Sequence, residues 1–241
     1  MIQSLRSALF VICTVMGLVL SLPVHASAQT QTIYNTAYPS TIRVAIRSYN
    51  NPVGPILYVQ TLGFEEYCED VLPNEWMPSW DPQALQAGAI AIKMFAWYHT
   101  LHPVTENGLT YDVDNTTNFQ EFKYLSGRPE TDLALQETWN MVYVPTDGTI
   151  KELDYRMGVP NSDNSWFDGT YVMSQWGSQY WAGTAKLPFE SNSLSAFGFY
   201  WSLKVLDLER FSFAPTFPPY AEGTELEIQI RIRNKLCWNI K

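Results

Sequence analysis

The sequence predicts an α+β fold: mixed sheet segments around a buried central helix, in a single main domain with a short β-rich C-terminal tail. Three observations carry this. Ala84 to Leu101 is a run rich in Ala, Leu, Ile and Met whose apolar residues cover most of a helix circumference, as in a helix enclosed on all sides. Thr41-Ile-Arg-Val-Ala-Ile-Arg47 alternates apolar and polar residues, as a half-buried strand does. Further strand-like and helix-like segments follow without the regular alternation that builds a parallel sheet.

In chain order, Gln29 to Ser40 is polar and Thr-rich and reads as a disordered lead-in. The strand at 41–47 meets a turn cluster at Asn50-Asn-Pro-Val-Gly-Pro55, and Ile56 to Gln60 reads as a second strand. Asp81 can cap the long helix, Pro82 suits its first position, and Pro103 marks its latest end. Lys93 is a cation on this mostly apolar helix; it either snorkels to solvent or lines a polar cleft. Tyr111 to Phe122 reads as extended segments around a turn, and Thr131 to Trp139 as a short helix. Val142–Val144 and Ile150–Leu153 flank Pro145-Thr-Asp-Gly148 like a hairpin. Asn161 to Gly169 reads as a loop. Ser174–Ala182 and Ser193–Phe197 read as helices, Tyr200–Leu208 and Leu226–Arg233 as strands. The main domain is placed at 41–208. Residues 209–241 are a Pro- and Phe-rich linker and a β tail, either a truncated module or an extra edge strand.

The first 28 residues have the build of a cleavable secretory leader. Arg6 supplies a positive start, Ala8 to Leu22 an apolar run shorter than a membrane span, and Ala26-Ser-Ala28 the small residues a signal peptidase accepts. The alternative is an uncleaved anchor. The expected location is therefore secreted or within the cell envelope. The formal net charge of −9 excludes nucleic acid as a natural partner, since phosphate contacts need an excess of Lys and Arg. Cys68 and Cys237 remain after cleavage, an even number that admits one disulfide or two buried thiols.

Three segments in order resemble the stage II sporulation protein D family and its relative, the amidase enhancer of bacterial cell-wall hydrolysis. The first runs Phe64-Glu-Glu-Tyr-Cys-Glu-Asp-Val-Leu-Pro-Asn-Glu-Trp-Met-Pro-Ser-Trp-Asp-Pro and on through the long helix to Phe95. The second is Tyr111-Asp-Val-Asp-Asn-Thr-Thr-Asn-Phe-Gln-Glu-Phe122, and the third Met173-Ser-Gln-Trp-Gly177. The resemblance covers about Ile42 to Leu208. It implies a protein that acts on peptidoglycan glycan strands, as a lytic transglycosylase or as a non-catalytic binding module that enhances a cell-wall amidase. It makes Glu75 the catalytic acid.

A single carboxylate suits that chemistry. Ordinary glycosidases need two, one to protonate the leaving oxygen and one to attack or to activate water. In a lytic transglycosylase the sugar's own 6-hydroxyl attacks, so one Glu donates a proton and then takes one back. That role needs a raised pKa. Glu75 precedes the helix that starts at Pro82, whose macrodipole would favour the carboxylate. Desolvation by Trp76, Met77 and Trp80 has to outweigh that. Lys93, Gln120, Ser174 and Gln175 are the candidate substrate contacts, the last three alternatively satisfying backbone groups in tight turns. Trp166, Trp176 and Trp181 are stacking platforms or core.

Several positions depart from the family pattern. Lys93 replaces an arginine, and Asp168 to Val172 replaces a stretch that carries a histidine. Relatives have Cys and His near the Thr-Thr segment, consistent with zinc; here the matching positions are Asp114, Asn118 and Phe119. No metal and no cofactor is expected.

Overall fold

The computed structural model describes residues 30–48, 51–145, 147–161, 172–184 and 201–205. The elements below all belong to the unit Gln31–Lys241. The expected leader, the Ser193–Phe197 helix, Trp166, Cys237 and the tail 209–241 lie outside the described residues. Among the described residues the fold is α+β, with four helices and nine short strands in mixed sheets, as the sequence predicted. None of these helices is long and apolar enough to cross a membrane.

Strand β1 (Thr41–Arg47) is the middle of a three-stranded sheet. It pairs antiparallel with β2 (Ile56–Gly63), from Thr41 opposite Gly63 to Arg47 opposite Ile56. On its other side it runs parallel to β5 (Val113–Asp114). Between them in sequence lie β3 (Val104–Glu106) and β4 (Leu109–Tyr111), a hairpin that the sequence reading did not foresee. Its turn is Asn107-Gly108, both with positive φ. That dipeptide is the strongest short hairpin signal, because a primed turn needs left-handed backbone at both positions. Strand β6 (Met141–Pro145) pairs antiparallel with β9 (Trp201–Val205). Strand β7 (Asp154–Arg156) runs parallel to β8 (Val172–Ser174).

Helix α2 (Pro82–Leu101) is the axis of the fold. Asp81 caps it by accepting from the Gln83 N–H at 3.0 Å, and every residue from Ala84 to Trp97 is buried. Helices α1 (Phe64–Glu75), α3 (Pro129–Thr138) and α4 (Gln175–Gly183) pack against it. An all-round apolar surface demands such an enclosure.

Two expectations need correction. Over its described residues, 30–40, the lead-in is not disordered. Thr32 bridges Thr149, Ile33 N–H donates to Gly148 O at 3.0 Å, and Ile150 N–H donates to Gln31 O at 3.2 Å. Ile33 is buried in the core, and Tyr38 meets Phe64, Trp97 and Trp139 edge-on at 5.6, 5.2 and 5.5 Å. Polar composition hid this, because one Ile and one Tyr are enough to anchor a short segment. The hairpin across Pro145–Gly148 does not form either. The turn is present, with Gly148 N–H on Pro145 O at 2.9 Å. The chain beyond it pairs with the lead-in, and β6 takes β9 instead.

Lys93 is 1 % exposed. Its ammonium donates to the carbonyls of Thr138, Trp139 and Met141 and lies 5.3 Å from the Trp139 ring centroid. It neither snorkels nor faces a cleft; it caps the carbonyl end of α3, where a cation meets the negative pole of the helix. Burial pulls its pKa down to about 7. The folded state therefore binds fewer protons than the unfolded chain between about pH 7 and the ordinary lysine value, and stability is expected to rise with pH across that window. Over the part below the ordinary thiol range, the slope approaches ~1.4 kcal/mol per pH unit. Denaturant midpoints between pH 7 and 8.5 check this; a flat profile, or one that Lys93→Met leaves unchanged, rules it out.

Candidate functional site

Glu75 is the last residue of α1, a helix the sequence reading did not identify. Its carboxyl therefore sits at the negative end of a helix, which disfavours the anion. The expected pull from the start of α2 had the opposite sign. Glu75 is half-buried, and its pKa is raised above the ordinary carboxylate value by desolvation. Hydrogen bonds from the Glu121 N–H and the Gln175 amide oppose that rise.

The donors hold the carboxyl on two sides. Glu121 N–H donates to Oε1 at 2.7 Å. Gln175 Nε2 donates to Oε2 at 3.0 Å and to the Glu75 backbone carbonyl at 2.7 Å. Gln175 is the first residue of α4, and Ser174 is the cap of that helix, its Oγ accepting from Gly177 N–H at 2.9 Å. The Met173–Gly177 segment thus has a plain physical reading. Ser174 starts the helix, Gln175 clamps the acid, and Trp176 lies against Trp80 with ring centroids 4.7 Å apart.

Below the carboxyl the floor is aromatic. At Trp76 the chain turns to extended backbone, and the fully buried indole passes beneath α2 at Gly88. Trp76 Nε1 donates to Ser178 Oγ at 3.0 Å, and that hydroxyl donates to Gln175 O at 2.7 Å. The Trp76 ring stands 5.0 Å from Tyr155. Of the three side chains expected to desolvate Glu75, Trp76 and Trp80 are buried and Met77 is 50 % exposed.

The loop that supplies the Glu121 N–H is itself tied to α1. Asp70 accepts from the N–H groups of Leu125, Ser126 and Gly127 at 2.9, 2.7 and 3.1 Å, and Asn74 Nδ2 donates to Ser126 Oγ at 2.8 Å. Asp70 and Asn74 stand on the last turns of the helix that ends in Glu75, so acid and loop are held from one element.

Of the sequence-predicted site residues, Glu75 and Gln175 are in direct contact, and Ser174 positions Gln175. Gln120 is fully buried and lies one hydrogen bond behind Tyr155, with Nε2 donating to its hydroxyl at 3.2 Å. Burial removes Gln120 from any surface a sugar could reach. Lys93 stands apart as the cap of α3. Tyr67, Asp70, Tyr155 and Ser178 were missed as site residues. Tyr67 and Asp70 fall within the quoted motif, whereas nothing around Tyr155 marks it in the sequence.

The positions that carry zinc ligands in relatives do not fit a metal here. Asp114 is fully buried and accepts from Arg47 Nε at 2.9 Å and from the Thr116 N–H and hydroxyl at 2.9 and 2.7 Å. Asn118 donates to Pro52 O at 2.8 Å, and Phe119 packs edge-on to His99. One carboxylate already paired with Arg47 makes no zinc site. Cys68 is buried, with its thiol pushed well up by desolvation.

Fold and site together define an α+β domain organised around one half-buried carboxyl clamped at the end of a helix. Residues 54–144 match the family model described as stage II sporulation protein. That stretch is similar to the stage II sporulation protein D family, and the likeness supports a cell-wall-related role. Glu75, Lys93 and Gln120 lie inside the matched stretch, Ser174 and Gln175 beyond it. An uncharacterized protein of Brachyspira hyodysenteriae is 42% identical over 67 residues, which make up 28% of this chain and 18% of that relative. The chain thus spans less than a fifth of the curated relative it matches.

Proposed function

We propose that this chain is exported and acts on peptidoglycan glycan strands as a lytic transglycosylase, with Glu75 as general acid and base. The carrying observation is the one carboxyl held at the end of α1, desolvated and with its pKa raised. In the first step the Glu75 proton passes to the oxygen that joins N-acetylmuramic acid to N-acetylglucosamine, and that glycosidic bond breaks. In the second, the muramic 6-hydroxyl attacks the anomeric carbon and its proton returns to Glu75. The product carries a 1,6-anhydro end, and the acid is regenerated without a second carboxylate.

A second reading rests on a different observation. Both oxygens of Glu75 already accept from the protein itself, Oε1 from Glu121 and Oε2 from Gln175. A carboxyl engaged in this way also suits a structural pin, and the chain would then be a glycan-binding module that enhances a cell-wall amidase. Incubation with purified glycan strands, followed by mass spectrometry, separates the two. Anhydro ends are the expected result; strands bound but left intact would replace the enzyme with the binding module.

A further inference from the structure

The loop that gives Glu75 its Glu121 N–H also carries two large apolar side chains into solvent. Tyr124 is 56 % exposed and Leu125 76 %. They follow Phe122, which is buried and stacks on Tyr67 with ring centroids 5.5 Å apart. Lys123 to Ser126 form a turn, with the Ser126 N–H on Lys123 O at 3.2 Å. Leu125 is the third residue of that turn and has φ +57°.

A left-handed third position is ordinarily filled by glycine or asparagine. Among the described residues, the other non-glycine residues with positive φ are Asn107 and Asn161, and asparagine tolerates that backbone. A leucine there is strained, and its side chain recovers little from the core because it stands mostly in water. Strain of this kind persists only where the surroundings impose it. Here Asp70 imposes it, its buried carboxylate taking the N–H groups of Leu125, Ser126 and Gly127. An apolar side chain held out at a cost in stability is placed for something outside the chain.

The turn is bonded on both sides to the last two residues of α1. Glu121 N–H donates to Glu75 Oε1 at 2.7 Å, and Asn74 Nδ2 donates to Ser126 Oγ at 2.8 Å. Tyr124 is three residues from the first anchor, a reach of ~10 Å at most. Met77, two residues past Glu75, is half exposed as well. We infer that Tyr124 and Leu125 form an apolar platform for the sugar ring next to the bond that is cut. The inference rests on the reading of the Glu75 site as one that holds glycan. A pyranose carries its hydroxyls around the rim and C–H groups on its faces. A flat apolar surface therefore takes one face without stripping water from the hydroxyls. A turn already fixed by Asp70 loses little freedom on meeting the sugar.

The test sets binding against stability. Leu125→Gly removes half of the platform and the backbone strain together, so the denaturant midpoint is expected to rise while glycan binding weakens. Tyr124→Ala is expected to keep the midpoint near the parental one and to weaken binding roughly tenfold. The readout is KM for purified glycan strands, with kcat little changed. If the parent binds strands without cleaving them, the dissociation constant of intact strands takes the place of KM, and the platform holds while the enzyme reading fails. Leu57→Ala removes a leucine that is 60 % exposed on β2 and should leave binding unaltered. Parental affinity in both Tyr124→Ala and Leu125→Gly overturns the inference and leaves the glycan reading standing. An equal loss in Leu57→Ala does the same. A midpoint that falls in Leu125→Gly assigns the leucine to the fold and overturns its part in the platform. A parent that neither cleaves nor binds glycan ends both readings.

Discussion

Glu75→Gln is expected to abolish formation of anhydro ends, with a loss on the order of 10²–10⁴-fold, the usual contribution of a general acid–base group. Binding of intact glycan should persist. The variant is not expected to be silent for stability. The carboxylate presents an acceptor to Glu121 on one side and to Gln175 on the other. An amide has one acceptor oxygen, so one of those donors must face an NH₂ group. Gln175 is not free to turn its own amide over, because the same Nε2 also donates to the Glu75 carbonyl. A part-buried donor without a partner costs about 1–3 kcal/mol. The pH dependence has a definite sign as well. A carboxyl whose folded pKa is raised contributes stability that is present below the ordinary carboxylate value and lost as pH rises through the folded one. That component should be missing from the variant. Product analysis and chemical denaturation together read both effects, and cleavage at the parental rate would falsify the assignment.

Gly88→Ala carries the second large effect. A methyl group there would lie 2.5, 2.6 and 2.8 Å from three ring atoms of Trp76. The indole cannot retreat easily. It is fully buried, its N–H is bound to Ser178, and its ring meets Tyr155. Alanine gains about 1 kcal/mol of helix propensity. Overpacking a rigid aromatic ring costs about 1–3 kcal/mol and sometimes more, so net destabilisation is expected. The strain also has a direction. A displaced Trp76 pushes on Ser178, which is bonded to the carbonyl of Gln175, so one of the two donors that hold the Glu75 carboxyl moves with it. Cleavage should therefore fall even at temperatures where the variant stays folded. A parental denaturant midpoint would mean that the ring has room to move and would sink the argument.

How legible these features are in the sequence depends on what holds each of them. The central helix was readable to the residue, because Asp81, Pro82 and an unbroken apolar run are local signals and burial follows from them. Helix α1 was not. Its mean character is polar, and Pro73 stands inside it, a residue that ordinarily argues against a helix. Its apolar face, Phe64, Tyr67, Cys68, Val71 and Leu72, is nonetheless buried, so tertiary packing overrode a weak local preference. Glu75 stood out only through the resemblance, since no spacing distinguishes it from other glutamates. Gln175 was found for the same reason. Tyr155 could not be found at all, because its place beside Trp76 and Gln120 comes from a parallel strand pair with no trace in local pattern. Lys93 was misread because a lysine on an apolar helix usually reaches water, and only the fold reveals the three carbonyls that receive it.

The pairing of Thr32 with Thr149 joins points more than a hundred residues apart along the chain. Closing a loop of that length costs about 4 kcal/mol in chain entropy, and the contact cannot be made before residue 149 is available. Strands β1 and β2, and helices α1 and α2, are sequence neighbours and can meet early. The amino-terminal segment is first in the chain and among the last to find its place. Until then Ile33 is an isoleucine in water, and the core lacks the side chain that fills it. High contact order of this kind slows folding, so the domain is complete only once its beginning and its middle have met.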